Sequence, residues 1–218
     1  MRMHCVLVTS LTALTAIALA HDEMGGVRLQ DLPGKDSDLK VGRGGMLWYG
    51  SPHFNARPAD TRVDTVVLHH TAGSTLIGVC KWFAMPESQV SAHYTIGKKG
   101  QIVQHVSTYQ RAWHAGKSID YLGRENVNNF SIGIEMDNLG NGKDPWTEEQ
   151  VAACVRLVRV LKRYRFPSIK YVTSHEYIAE PKGRKNDPLN FPWDRLESSA
   201  KELGFELLYT FDKPKGPK

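Results

Sequence analysis

The chain has 218 residues, 41% hydrophobic and 23% charged, and a formal net charge of +5. These are the proportions of a soluble globular chain of one domain with extensions, and no repeat of solenoid length is present. A pI near 9.1 gives a mildly basic surface that suits an anionic partner without choosing among cell-wall polymer, nucleic acid and membrane surface.

Arg2 precedes an apolar run over residues 6–20 that closes in Ala18-Leu19-Ala20, the small-x-small pattern of a signal peptidase site. The run is shorter than the roughly 20 residues a membrane-spanning helix needs. Residues 1–20 are therefore expected to be a signal peptide cleaved near Ala20, with an uncleaved anchor as the alternative, and the protein to be exported: periplasmic, envelope-associated or secreted. Cleavage removes Cys5 and leaves Cys80 and Cys154, which could pair in an exported protein but read more readily as two buried free thiols. Residues 21–60 are polar and rich in Gly, Pro and Asp, and read as a linker and N-terminal extension with one apolar anchor at residues 46–49.

The domain proper is expected over 61–205. Residues 63–69 hold the apolar run Val66, Val67 and Leu68 of a buried strand, which ends in His69 and His70. Side chains alternate along a strand, so only one of the two imidazoles is expected to face a given site. Ser74 or Thr75 caps a helix that Pro86 ends. A hairpin follows, with residues 92–96 and 101–106 flanking Gly97-Lys98-Lys99-Gly100. Residues 131–136 alternate: Ile132, Ile134 and Met136 on one face, Gly133 and Glu135 on the other. A carboxylate on that face requires a polar cavity, because a buried charge must be compensated. Thr147-Glu148-Glu149-Gln150 reads as a capping box opening a helix with Val151, Cys154, Val155, Val158 and Leu161 on its apolar face. Arg156, Arg159, Lys162 and Arg163 read as its solvated side. A strand at 170–173 leads into a polar loop in which Pro181, Gly183 and Pro188 exclude regular structure until Trp193. A last helix stops at Gly204, and residues 206–218 are expected to be a tail. The order of elements predicts a single-domain α/β fold, a central mixed β-sheet flanked by helices.

His69, Glu135, His175, Lys185 and Asp187 each fall at a strand end, on a strand's cavity face or in the loop that follows. A catalytic zinc takes three protein ligands and keeps one position for water, and imidazole and carboxylate both suit it. Two histidines from different strands with Asp187 would make such a site, with Lys185 beside it as a catalytic cation. His53 and His105 read as surface or packing residues. No His-Glu-x-x-His helix is present, which removes the commonest zinc peptidase arrangement.

The motifs VVLHHTAG, SAHYTI, AWHAG, SIGIEMDN, SHEYIA and RKNDPLNFPW stand in the order seen in zinc-dependent N-acetylmuramoyl-L-alanine amidases. The chain resembles that family over residues 63–193, in the domain shared by bacterial recycling amidases, phage lysozyme-like amidases and peptidoglycan recognition proteins. The resemblance implies Zn²⁺ as cofactor, with His69, His175 and Asp187 as ligands and Glu135 and Lys185 as catalytic groups. His114 is a candidate for the substrate groove or for a structural role, and His93, with His70, has a family counterpart that reads as packing or hydrogen bonding near the site, with a substrate contact as the other candidate. The tyrosine that the phage branch carries before the hairpin histidine is Ala92 here, so no tyrosine role transfers. The implied partners are peptidoglycan or its muropeptides and no nucleic acid, with no stable membrane insertion after signal cleavage and a monomeric enzyme. A non-catalytic peptidoglycan-recognition module is the alternative.

Overall fold

The computed structural model describes residues 40–41, 47–73 and 75–210; the expected signal peptide, Ser74 and residues 211–218 lie outside them. The strands are β1 (Lys40–Val41), β2 (Leu47–Trp48), β3 (Phe54–Ala56), β4 (Thr65–His70), β5 (Tyr94–Ile96), β6 (Ile102–Gln104), β7 (Gln110–Ala112), β8 (Ser131–Met136), β9 (Tyr171–Ser174) and β10 (Glu206–Leu208). The helices are α1 (Leu76–Ala84), α2 (Glu148–Val160), α3 (His175–Ile178) and α4 (Asp194–Leu203). No helix among the described residues is long and apolar enough to cross a membrane.

An eight-stranded sheet runs β1-β2-β6-β5-β8-β4-β9-β10, and β3 with β7 forms a separate pair. The large sheet is mixed, as expected: β5, β8, β4, β9 and β10 are parallel neighbours, whereas β5 and β6 pair as an antiparallel hairpin. β4 lies between β8 and β9 and is buried along its whole length, which is why its apolar run is continuous.

The alternation read in β8 decides where the site lies. Ile132, Ile134 and Met136 join Val66, Leu68 and Val172 in a core against α2 and α4 that also holds Leu157, Leu161 and Leu196. Each such fully buried aliphatic side chain contributes about 1.5–3 kcal/mol. The opposite face carries Val67 and His69 on β4 next to Gly133 and Glu135 on β8, paired in register. One face of the central strands thus makes the main core, and the other makes a small apolar cluster and the polar site.

Several local readings are refined. Thr75 caps α1, its hydroxyl accepting the Gly78 amide. Thr147 caps α2 in the same way, but Gln150 does not reach back to close a capping box. Its amide nitrogen donates instead to the carbonyls of Ile96 and Asp137, at 3.1 and 2.9 Å, tying the helix start to the ends of β5 and β8. The basic residues on α2 and in the helical turn that follows it (Leu161–Arg165) are partly structural: Arg159 and Arg163 both pair with Glu202 of α4, and Lys162 donates to the carbonyls of Pro167 and Ile169. Cys80 and Cys154 are buried thiols in separate apolar clusters.

Two boundaries move. The tail expected from residue 206 begins with β10, which extends the sheet beside β9. The extension expected to end at residue 60 includes β2 and β3, and delivers Arg57 into the domain. That guanidinium donates to the carbonyls of Asn128, Asn129, Thr108 and Ser131 at 2.7–3.3 Å. It joins the loop before β7, the turn before β8 and β8 itself through one side chain.

His105 and His93 follow β6 and precede β5, and both are buried. His105 Nδ1–H donates to the Tyr49 carbonyl at 2.8 Å, and its Nε2 accepts the Thr95 hydroxyl at 2.8 Å. A ring satisfied in this way is held neutral: burial lowers its pKa to about 4, against a backbone hydrogen bond that raises it. Burial, with Arg57 nearby, lowers that of His93 to about 3. The unfolded chain takes up these protons near pH 6.5 and the folded chain does not, so the stability they confer is complete above about pH 6.5 and is lost toward pH 4. Urea denaturation at pH 7 and pH 5 should show a loss of about 2 kcal/mol per histidine, with a smaller loss in His105→Gln. Equal stability at the two pH values would contradict the neutral assignment.

Candidate active site

β4 and β9 run parallel, so their C-terminal ends bring His69 and His175 to one edge of the sheet. Ser174 caps α3, its hydroxyl accepting the Tyr177 amide, and His175 is the first residue of that short helix. Four residues are too few to show a helical period, which is why this turn was read as the start of a loop. The loop returns to place Asp187 beside both histidines. Its course is fixed by the Glu176 amide, which donates to the Asp187 carbonyl at 2.9 Å, and by His70, whose Nδ1 accepts the Leu189 amide at 3.2 Å. The two adjacent histidines therefore divide the work: His69 enters the donor group and His70 holds the loop.

His69 Nδ1 lies 3.1 Å from His175 Nδ1, and Asp187 Oδ2 lies 3.0 Å from each. All three residues are buried, and their donor atoms lie within 4.8 Å of one another, a group able to hold a metal ion. His175 Nε2 is 3.1 Å from the Ala115 carbonyl, which can only accept, so the proton sits on Nε2 and the Nδ1 lone pair faces the group. Burial, then His175, lowers the His69 pKa to about 4.

Glu135 is the register partner of His69 and borders the same cavity of about 590 Å³. Its Oε2 is shielded from solvent and has no hydrogen-bond partner among the described residues. Burial, followed by the nearby Asp187, raises its pKa to about 8, and Lys185 opposes them. Lys185 is exposed at the cavity rim, and Arg184 beside it is tied to the Glu180 and Lys117 carbonyls. The opposite wall is apolar and aromatic, with Val79, Trp82, Phe83, Val90 and Trp113.

His93 and His114 take different places. His93 does not line the cavity. It is fully buried, its Nδ1 accepts the Gly133 amide at 3.0 Å and its Nε2–H donates to the Gln110 carbonyl at 3.1 Å. His114 borders the cavity, but both ring nitrogens are occupied within the protein, by His69 and by Ser131. Sequence reasoning missed Ser131, although alternation along β8 puts it on the face of Gly133 and Glu135.

A mixed sheet whose strand ends gather two imidazoles and a carboxylate beside an unpartnered glutamate oxygen is the framework of a hydrolase able to hold a metal. Comparison with known proteins narrows the class. The sequence profile described as N-acetylmuramoyl-L-alanine amidase matches residues 59–190. The 1,6-anhydro-N-acetylmuramyl-L-alanine amidase AmpD of Haemophilus influenzae is 34% identical over 171 residues, 69% of this chain and 90% of that protein. The crystal structure of a selenomethionine AmpD derivative superposes with a TM-score of 0.60 at 34% identity, covering 69% of this chain and 92% of that one. That of AmpDh3 from Pseudomonas aeruginosa in complex with anhydromuramic pentapeptide gives 0.55 at 33% identity, over 66% and 62% of the two chains. The chain belongs to the N-acetylmuramoyl-L-alanine amidase family. It is an amidase, and its bond is the amide between N-acetylmuramic acid and the L-alanine of peptidoglycan.

Proposed function

We propose that the enzyme is a zinc amidase of peptidoglycan fragments, with His69, His175 and Asp187 as metal ligands and Glu135 and Lys185 as catalytic groups. The single observation that carries this reading is the convergence of the three donor atoms beside the unpartnered Glu135 Oε2. Two imidazoles and one carboxylate are a donor set that suits zinc and leaves an open position. Zinc bound there would supply the Lewis acidity that activates water and polarises an amide carbonyl. Glu135 would take a proton from the attacking water at Oε2, as that water's oxygen bonds to the carbonyl carbon, and return it to the departing L-alanine amine, a task suited to a carboxyl held near neutrality. Lys185 offers its ammonium at the rim to the negative charge that develops on the carbonyl oxygen. Relatives named for 1,6-anhydro substrates support released fragments as the substrate class. The apolar run at residues 6–20 supports export of the enzyme.

The test is incubation of the purified chain with whole peptidoglycan and, separately, with 1,6-anhydro-muropeptides, with and without chelator. New L-alanine amino termini from the fragments are expected, to vanish with chelator and return with Zn²⁺. Full activity after exhaustive chelation would remove the metal assignment, and release from whole wall alone would overturn the fragment preference.

A further inference from the structure

His69 faces a choice of proton position that its ligand role does not settle. With the proton on Nδ1 it would bond to Asp187 and have no lone pair to offer; with the proton on Nε2, the Nδ1 lone pair points into the donor group. The residues behind it decide. The Ser131 hydroxyl lies 2.7 Å from the Val127 carbonyl, an oxygen that only accepts, so the hydroxyl hydrogen must lie between them. Ser131 Oγ then has only lone pairs for His114 Nε2 at 3.1 Å, and that nitrogen must donate. A neutral His114 therefore carries a bare Nδ1, which stands 3.1 Å from His69 Nε2 and must accept from it. In this arrangement the Nδ1 lone pairs of His69 and His175 and the Asp187 carboxylate converge at 3.0–3.1 Å, a cluster of acceptors that calls for a bound cation. Gly133 makes the chain possible, because any side chain there would occupy the space of the His114 ring.

We propose that Ser131 and His114 are positioning residues that hold His69 in its Nε2–H tautomer and thereby set the metal affinity of the site. The proposal deepens the zinc reading and rests on it, because a bound cation is what stabilises the three converging acceptors. Groups that hydrogen-bond metal-ligating histidines typically change affinity by roughly ten- to a hundredfold when removed.

Two measurements on the full chain test it. Nitrogen-15 NMR of the histidines in the zinc-loaded wild-type protein should show neutral His69 and His114, each with its proton on Nε2; a proton on Nδ1 of His114 overturns the relay. Zinc affinity, read by competition with a chromophoric chelator, should fall roughly ten- to a hundredfold in Ser131→Ala. Ser131→Thr, which keeps the hydroxyl, should restore most of it. Unchanged affinity in Ser131→Ala overturns the proposal. A wild-type protein that binds no zinc would instead sink the metal reading on which the relay rests.

Discussion

Glu135→Gln is expected to lower kcat roughly 10²–10⁴-fold while the protein keeps its full zinc content and its melting temperature. The argument is one of position and chemistry together. Glu135 sits on β8 opposite His69 in register, so its carboxylate shares the cavity with the donor group without belonging to it. Glutamine keeps the size and the hydrogen-bonding edge of the side chain and removes only the ability to take a proton. Because Glu135 Oε2 has no hydrogen-bond partner among the described residues, the change breaks no hydrogen bond at that oxygen. Turnover by released amine and zinc by atomic absorption separate the outcomes. Loss of zinc in this variant would make Glu135 a ligand; wild-type kcat would remove it from the chemistry.

Gly133→Ala is expected to impair folding and metal binding at once. A Cβ on Gly133 would stand 2.4 Å from His114 Cγ and 2.7 Å from His114 Cδ2 and Nδ1, closer than real atoms approach. Overpacking of this kind costs about 1–3 kcal/mol. The ring that must move is the one bonded to His69, so the loss is not confined to stability. The double variant Gly133→Ala/His114→Ala distinguishes the two effects. Removing the ring relieves the clash, and much of the melting temperature should return; zinc affinity should not, because His69 still lacks its partner. Strong non-additivity in stability is the expected signature of two groups competing for one space. Equal and additive losses would mean that the steric reading is wrong.

Much of this was legible in the sequence where a pattern and a physical requirement coincide. The continuous run of β4 and the alternation of β8 identified the central strands, because a strand covered on both faces must be apolar throughout and one that borders a polar cavity must switch. The donor group was legible through ordered motifs, since no local spacing links His69 to Asp187. Short elements escaped. β10 has three residues and α3 has four, too few for any period, and both exist because neighbouring structure completes them. Ser131 escaped for a different reason: a serine in a strand carries no chemical signal until its hydroxyl hydrogen is traced to Val127. A histidine among active-site motifs can be functional or structural, and His93 takes the packing and hydrogen-bonding role, with a backbone amide and a carbonyl at its nitrogens.

Arg57 has a consequence for where this enzyme begins as a working unit. The family profile starts at residue 59, yet the guanidinium that clasps four carbonyls around β7 and β8 lies upstream of that boundary. A fragment trimmed to the recognised region would leave those carbonyls to find water where the fold has shielded them, and the strand that bears Ser131 and Glu135 would lose its anchor. The smallest autonomous enzyme therefore has to be cut from the chain ahead of β3, and a library of truncations should show solubility and activity failing together as the start point passes Arg57.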